Sequence, residues 1–70
     1  MSVTIRINGK DHTVAADLTV SGVLTGLGID PQRRGVAVAM NGSLVPRRSW
    51  ASVRVAAGAE VEVVQPLQGG

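Results

Sequence analysis

Cysteine is absent from this 70-residue chain, phenylalanine and tyrosine are absent too, and Trp50 is its one aromatic side chain. Without a thiol there is no disulfide, no thiolate metal site and no cysteine nucleophile. That composition fits a reducing cytoplasm. Without other aromatics the core has to come from Val, Leu, Ile and Ala, with Trp50 as a single large plug. Acidic side chains are few and scattered: Asp11, Asp17, Asp30, Glu60 and Glu62 form no metal-ligand cluster. His12 is the only histidine, and no Ser or Cys stands as its dyad partner. The longest apolar run, Val36-Ala37-Val38-Ala39-Met40, is far short of the roughly 20 residues a membrane span needs. The opening Met1-Ser2-Val3-Thr4-Ile5-Arg6 alternates like a strand and lacks the apolar stretch of a secretory leader. The chain is therefore expected to be cytoplasmic, away from membranes.

Size excludes more. Seventy residues make one small domain, and a chain this short buries only about 60% of its unfolded surface. Little room is left for an enclosed cleft, which argues against an autonomous enzyme. No Gly-x-x-x-x-Gly-Lys-Ser/Thr loop is present to cradle phosphates. Net charge is +2, with local concentrations at Arg33-Arg34 and Arg47-Arg48. Nucleic-acid binding calls for a broader basic face, often with stacking aromatics, and both are missing.

What is present is a clear alternation of elements. Val3, Ile5 and Ile7 alternate with Thr4 and Arg6 as in a half-buried strand. Asn8-Gly9 then supplies two residues that accept φ > 0, the signature of a tight hairpin. A return strand follows at about 11–16. Thr19 is placed to cap a helix whose apolar positions Val20, Val23, Leu24 and Leu27 fall at i, i+3, i+4 and i+7. Gly28 suits a left-handed C′ position, with Ile29 folding back on Leu24. Gly22 and Gly26 each cost about 1 kcal/mol relative to Ala inside a helix, so packing rather than propensity must hold it. The run Val36–Met40, apolar on both faces, reads as a central strand. Asn41-Gly42 repeats the turn, Ser43-Leu44-Val45 returns, and Pro46 ends that return. Residues 47–52 read as irregular or one helical turn, Val53 and Val55 as a short strand or packed loop, and Glu60 to Pro66 as the last strand. The order gives a two-layer α+β domain in which one mixed sheet packs on one main helix, with the final strand beside the first. That is the β-grasp, or ubiquitin-like, arrangement over 1–70, with a tail from about residue 67.

The tail is the part with chemistry. Gly69-Gly70 has no side chain to obstruct a narrow slot or to crowd the carbonyl that must be activated. Pro66 cannot donate a ladder hydrogen bond, so strand pairing should fade there and leave 67–70 as a peptide for a partner's groove. Leu67 is the bulky apolar residue on that peptide.

Val38-Ala39-Met40-Asn41-Gly42, Leu44-Val45-Pro46-Arg47, Trp50-Ala51, Gly58 to Val64 and the closing Gly69-Gly70 together resemble the ThiS family, the small sulfur carriers of thiamin biosynthesis. The resemblance covers essentially the whole chain. It implies that Gly70 is adenylated by an E1-like adenylyltransferase of the ThiF type, using ATP and Mg²⁺, and that the carrier itself binds no cofactor. It implies further that sulfur from a persulfide donor replaces AMP to leave a thiocarboxylate, and that thiazole synthase of the ThiG type receives the sulfur. Pro66, Leu67, Gln68 and Gly69 would then thread into the partner, with Arg47, Arg48 and Trp50 as further contacts. Two other readings stay open at this point, a MoaD-like carrier for molybdopterin synthesis and a ubiquitin-like modifier or binding module.

Overall fold

Two Asn-Gly pairs fold the chain back on itself. Asn8 and Asn41 adopt φ of 51° and 52°, and the glycines after them 83° and 85°. Two successive positive φ values make the hairpin turn that matches strand twist. The computed structural model describes residues 1–66. In chain order these form β1 (Ser2–Ile7), β2 (Lys10–Ala15), α1 (Val20–Gly26), β3 (Ala37–Met40), β4 (Ser43–Leu44), a 3-10 turn at Arg47–Ser49 and β5 (Glu60–Val64).

One mixed sheet has the order β2-β1-β5-β3-β4. β1 pairs antiparallel with β2 from Ser2↔Ala15 to Ile7↔Lys10, and parallel with β5 at Arg6↔Glu60 and Ile7↔Val61. β5 also pairs antiparallel with β3, from Ala37↔Val64 to Met40↔Val61. The expected placing of the final strand beside the first is thus observed. The 36–40 run is interior to the sheet as expected, between β5 and β4, but burial on both of its faces is not found, and β5 holds the middle. The cause is visible in the register. Val38 points into the core, while Ala37 and Ala39 face the opposite, open side and are only half-buried. Small residues on the open face, rather than burial on both faces, account for the apolar run.

Helix α1 packs on one face of this sheet. The Thr19 side chain accepts a hydrogen bond from the Gly22 N–H at 3.2 Å, capping the start. At the far end the Ile29 N–H donates to the Leu24 carbonyl and the Gly28 N–H to the Thr25 carbonyl, the paired bonds of a Schellman close, with Gly28 at φ 79°. A seven-residue helix carrying two glycines would not persist alone. Val20, Val23 and Leu24 are buried, and burial is worth about 1.5–3 kcal/mol for each such side chain, enough to outweigh both glycines. Gly22 has a spatial reason as well: a methyl group there would fall 2.4 Å from Leu18 Cδ1. Nothing lies within 4 Å of a methyl group on Gly26. Leu27 departs from the expected apolar stripe. It sits at the C-cap and is 38% exposed, because the helix has already ended.

The core gathers Ile5, Ile7, Val20, Leu24, Val38, Val55, Val61 and Trp50 into one cluster. Val53 and Val55 form a packed loop joined to the helix start: Val20 N–H donates to the Val53 carbonyl, and Val55 N–H to the Leu18 carbonyl. Among the described residues, no helix is long and apolar enough to cross a membrane.

Candidate functional site

β5 leads to the C-terminal tail, so the geometry that matters is how this strand is held and where its pairing stops. Its residues alternate: Val61 and Val63 are buried in the core, and Glu60, Glu62 and Val64 face out. On the β3 side the ladder runs to Val64↔Ala37. Strand pairing therefore ends just before Gln65-Pro66, where proline has no N–H to continue it.

On the β1 side only two residue pairs are formed, yet the contact continues past the end of β1. The Asn8 N–H donates to the Val61 carbonyl at 2.9 Å. The Asn8 side chain then behaves like one more peptide unit. Its Oδ1 accepts from the Val63 N–H at 2.8 Å, and its Nδ2 donates to the Val63 carbonyl at 3.2 Å. Asn41 does a similar service at the opposite end of β5, where its Oδ1 accepts from the Glu60 N–H at 2.9 Å and its own N–H donates to the Glu60 carbonyl. The sequence marks both asparagines as turn residues. It holds no local signal for bonds that reach 55 and 19 positions along the chain.

Pro66 rests against the stretch before β3. A methyl group on Gly35 would stand 3.2–3.4 Å from three atoms of the Pro66 ring, and Gly35 has φ 83°. Only a bare backbone lets the proline ring approach this closely without displacement. The loop carrying Gly35 is itself held from outside. The Arg47 guanidinium donates to the carbonyls of Pro31, Arg33 (2.8 Å) and Val36 (3.5 Å), and it lies over the Trp50 ring, 4.5 Å from the centroid. Trp50 is 3% exposed, and its Nε1–H donates to the Val45 carbonyl at 2.9 Å.

These positions revise the expected contact set. Trp50 is the core plug that the composition called for, and from inside the core it offers no surface to a partner. Arg47 and Arg48 are both exposed, and the Arg47 guanidinium is engaged with this chain's own backbone. Leu67, Gln68, Gly69 and Gly70, the expected threading and modified residues, lie outside the described residues. The register also reveals a feature that strand-by-strand reading missed. Val64 and Leu44, 61% and 72% exposed, share the open face with Ala37 and Ala39. Glu60, Glu62 and Arg6 flank that apolar strip, which runs toward the chain's exit at Pro66.

Residues 5–70 match the sequence pattern of the ThiS family. The chain belongs to that family. Family members are small sulfur carriers of the β-grasp fold, and the sheet and helix here have that architecture. The crystal structure of the thiamine biosynthesis protein ThiS from Geobacter metallireducens is 31% identical, with a TM-score of 0.79, covering 97% of this chain and 100% of that one. A solution structure of the thiamine biosynthesis protein from the same organism gives the same identity and TM-score, covering 97% of this chain and 88% of that one. Among curated proteins, a thiazole synthase from Paramagnetospirillum magneticum is 39% identical over 64 residues, which is 91% of this chain and 19% of the relative. A thiazole synthase from Magnetococcus marinus is 36% identical over 66 residues, 94% of this chain and 20% of the relative. The chain thus spans about a fifth of the length of the curated relatives it matches.

Proposed function

We propose that this chain is the sulfur carrier for thiazole formation in thiamin biosynthesis, a macromolecular substrate with no catalytic group of its own. The observation that carries the reading is the tail-bearing strand within a ThiS-family fold. β5 is anchored at the centre of the sheet, loses its pairing after Val64, and is followed in sequence by Gln65-Pro66-Leu67-Gln68-Gly69-Gly70.

The chemistry follows from the Gly70 carboxylate. A carboxylate is a poor acyl donor because its leaving group would be an oxide. Attack of its oxygen on the α-phosphorus of ATP expels pyrophosphate and creates an acyl adenylate, whose leaving group is AMP. The terminal sulfur of a persulfide then adds to the carbonyl carbon and AMP departs. The product is an acyl disulfide. Attack of a thiol on the donor's inner sulfur breaks the S–S bond inherited from the persulfide, releasing the C-terminal thiocarboxylate and leaving a disulfide between that thiol and the donor. An E1-like adenylyltransferase provides the ATP and Mg²⁺ site, and thiazole synthase accepts the sulfur. The two thiazole synthase relatives support that acceptor, since each contains a segment similar to this chain. The apolar strip of Ala37, Ala39, Leu44 and Val64, rimmed by Glu60 and Glu62, suits a partner that docks the open sheet face while gripping the tail.

The test is a mass measurement after incubation with the activating enzyme, ATP, Mg²⁺ and a sulfur source, followed by a thiol alkylator. Exchange of oxygen for sulfur resembles methionine oxidation by mass alone, and Met1 and Met40 are present. Alkylation separates the two, because no cysteine competes. The expected product is a tail fragment alkylated at Gly70, and deletion of Gly70 should abolish it while leaving the thermal unfolding curve unchanged. An unmodified tail, with an enzyme proven active on another carrier, would overturn the reading.

A further inference from the structure

Arg47 fills no part of the proposed chemistry, yet its side chain is among the most heavily engaged in the molecule. A guanidinium can hold several acceptors at once because its N–H groups form a rigid planar fork. Here that fork collects the carbonyls of Pro31, Arg33 and Val36, and its central carbon lies over the buried Trp50 ring. The three carbonyls bracket Gly35. The loop is also pinned at its start, where the Asp30 side chain accepts from the Gln32 N–H and the Asp30 carbonyl from the Arg33 N–H. Gly35 in turn carries the Pro66 ring. Arg47 is thereby linked to the base of the tail through one loop and one van der Waals contact, without touching the tail.

We propose that Arg47 is a positioning residue for the C-terminal carboxylate: it fixes the 31–36 loop as a seat for Pro66, and that seat sets the heading of the chain where it leaves the sheet. The inference rests on the carrier reading above. Four residues separate the seat from the reacting carboxylate, a reach of at most about 14 Å. Over that reach, an error of about 30° in heading at Pro66 would carry the end some 7 Å off its line. A loosened seat lowers the fraction of carrier molecules whose tail is aimed productively. The apparent affinity for the activating enzyme then falls by that same fraction, and turnover of the bound complex is preserved.

The experiment compares wild type with Arg47→Lys, Gly35→Ala, Pro66→Ala and the Arg47→Lys/Pro66→Ala double variant, at a temperature where circular dichroism shows all of them native. Adenylation is followed by ATP–pyrophosphate exchange at varied carrier concentration. Lysine keeps the positive charge but cannot hold three carbonyls, so Arg47→Lys should raise KM about tenfold with kcat retained. Gly35→Ala should do the same with Arg47 intact, and the double variant should be no worse than Pro66→Ala alone. A wild-type KM in Arg47→Lys, or a double variant whose defects multiply, would overturn the proposal in favour of structural support alone or a direct charge contact with the partner. A second readout needs no activity: ¹⁵N order parameters of the Val64 and Gln65 amides should fall in Arg47→Lys, and unchanged values would overturn the proposal. If wild type is not adenylated, the carrier reading fails, and the order parameters still decide whether Arg47 steadies the base of the tail.

Discussion

The two flanks of β5 hold the same strand in different ways. On the β3 flank, an antiparallel ladder of four residue pairs runs from Met40↔Val61 to Ala37↔Val64, and the last contact is the Pro66 ring on Gly35. On the β1 flank there are two parallel pairs, Arg6↔Glu60 and Ile7↔Val61, after which β1 turns away at Asn8-Gly9. The strand would be unsupported from Val63 onward on that side, and the Asn8 amide closes the gap by imitating a peptide group. The β3 flank is a backbone ladder with one side-chain bond, from Asn41, at its far end, and the β1 flank depends on a single side chain at the point nearest the tail. A turn residue can therefore carry a long-range load. Asn41, the same residue in the same conformation, meets β5 at its other end, where its side chain supplies one bond instead of two.

The largest expected effect breaks the β3 flank from beneath. Trp50→Ala removes the platform under Arg47 along with a buried ring, and should cost about 3–5 kcal/mol in denaturant-monitored stability. An unchanged midpoint would mean that the ring is not a core element. Next in size is the contrast between the two turns. Glycine keeps φ > 0 available, so Asn8→Gly and Asn41→Gly isolate the amide from the backbone conformation. Loss of two partly buried bonds in the first should cost about 2–3 kcal/mol, against about 1 kcal/mol for the one exposed bond in the second. Equal losses would show that the two turns are equivalent and that the β1 flank needs no side-chain extension. The smallest effect serves as a control away from both flanks. Gly26→Ala meets open space and should raise stability by about 0.5–1 kcal/mol through helix propensity, with no change in hydrogen exchange at Val63.

Those contrasts also mark what the sequence made legible. The Thr19 cap, the Schellman close at Gly28-Ile29 and the Asn-Gly hairpins were all readable, because each is decided by residues within a few positions of one another. Trp50 as the core plug was readable by elimination, there being no other aromatic. The open outer face of β3 was not, since Ala37 and Ala39 look alike in a pattern whether they face a second layer or an open surface. The reach of Asn8 to Val63 and of Arg47 to the 31–36 loop was hidden for a related reason. Each needs two remote segments to be neighbours before the side chain has anything to bond. The diglycine end was conspicuous in the sequence, whereas the means of holding its base emerged only from tertiary placement.

The central position of β5 has a kinetic consequence. Four strands precede it in the chain, but the sheet without it is two separate hairpins, β1–β2 and β3–β4, each with an unpaired inner edge. Insertion of β5 joins them in one step, and it requires contacts between residues more than 50 positions apart, which places a slow, topology-limited event late in folding. Until then both inner edges stand open to mispairing with other chains. The same step brings Pro66 onto Gly35. A molecule that stalls before insertion consequently lacks the β5 ladders, the Asn8 bonds to Val63 and the Pro66 seat all at once.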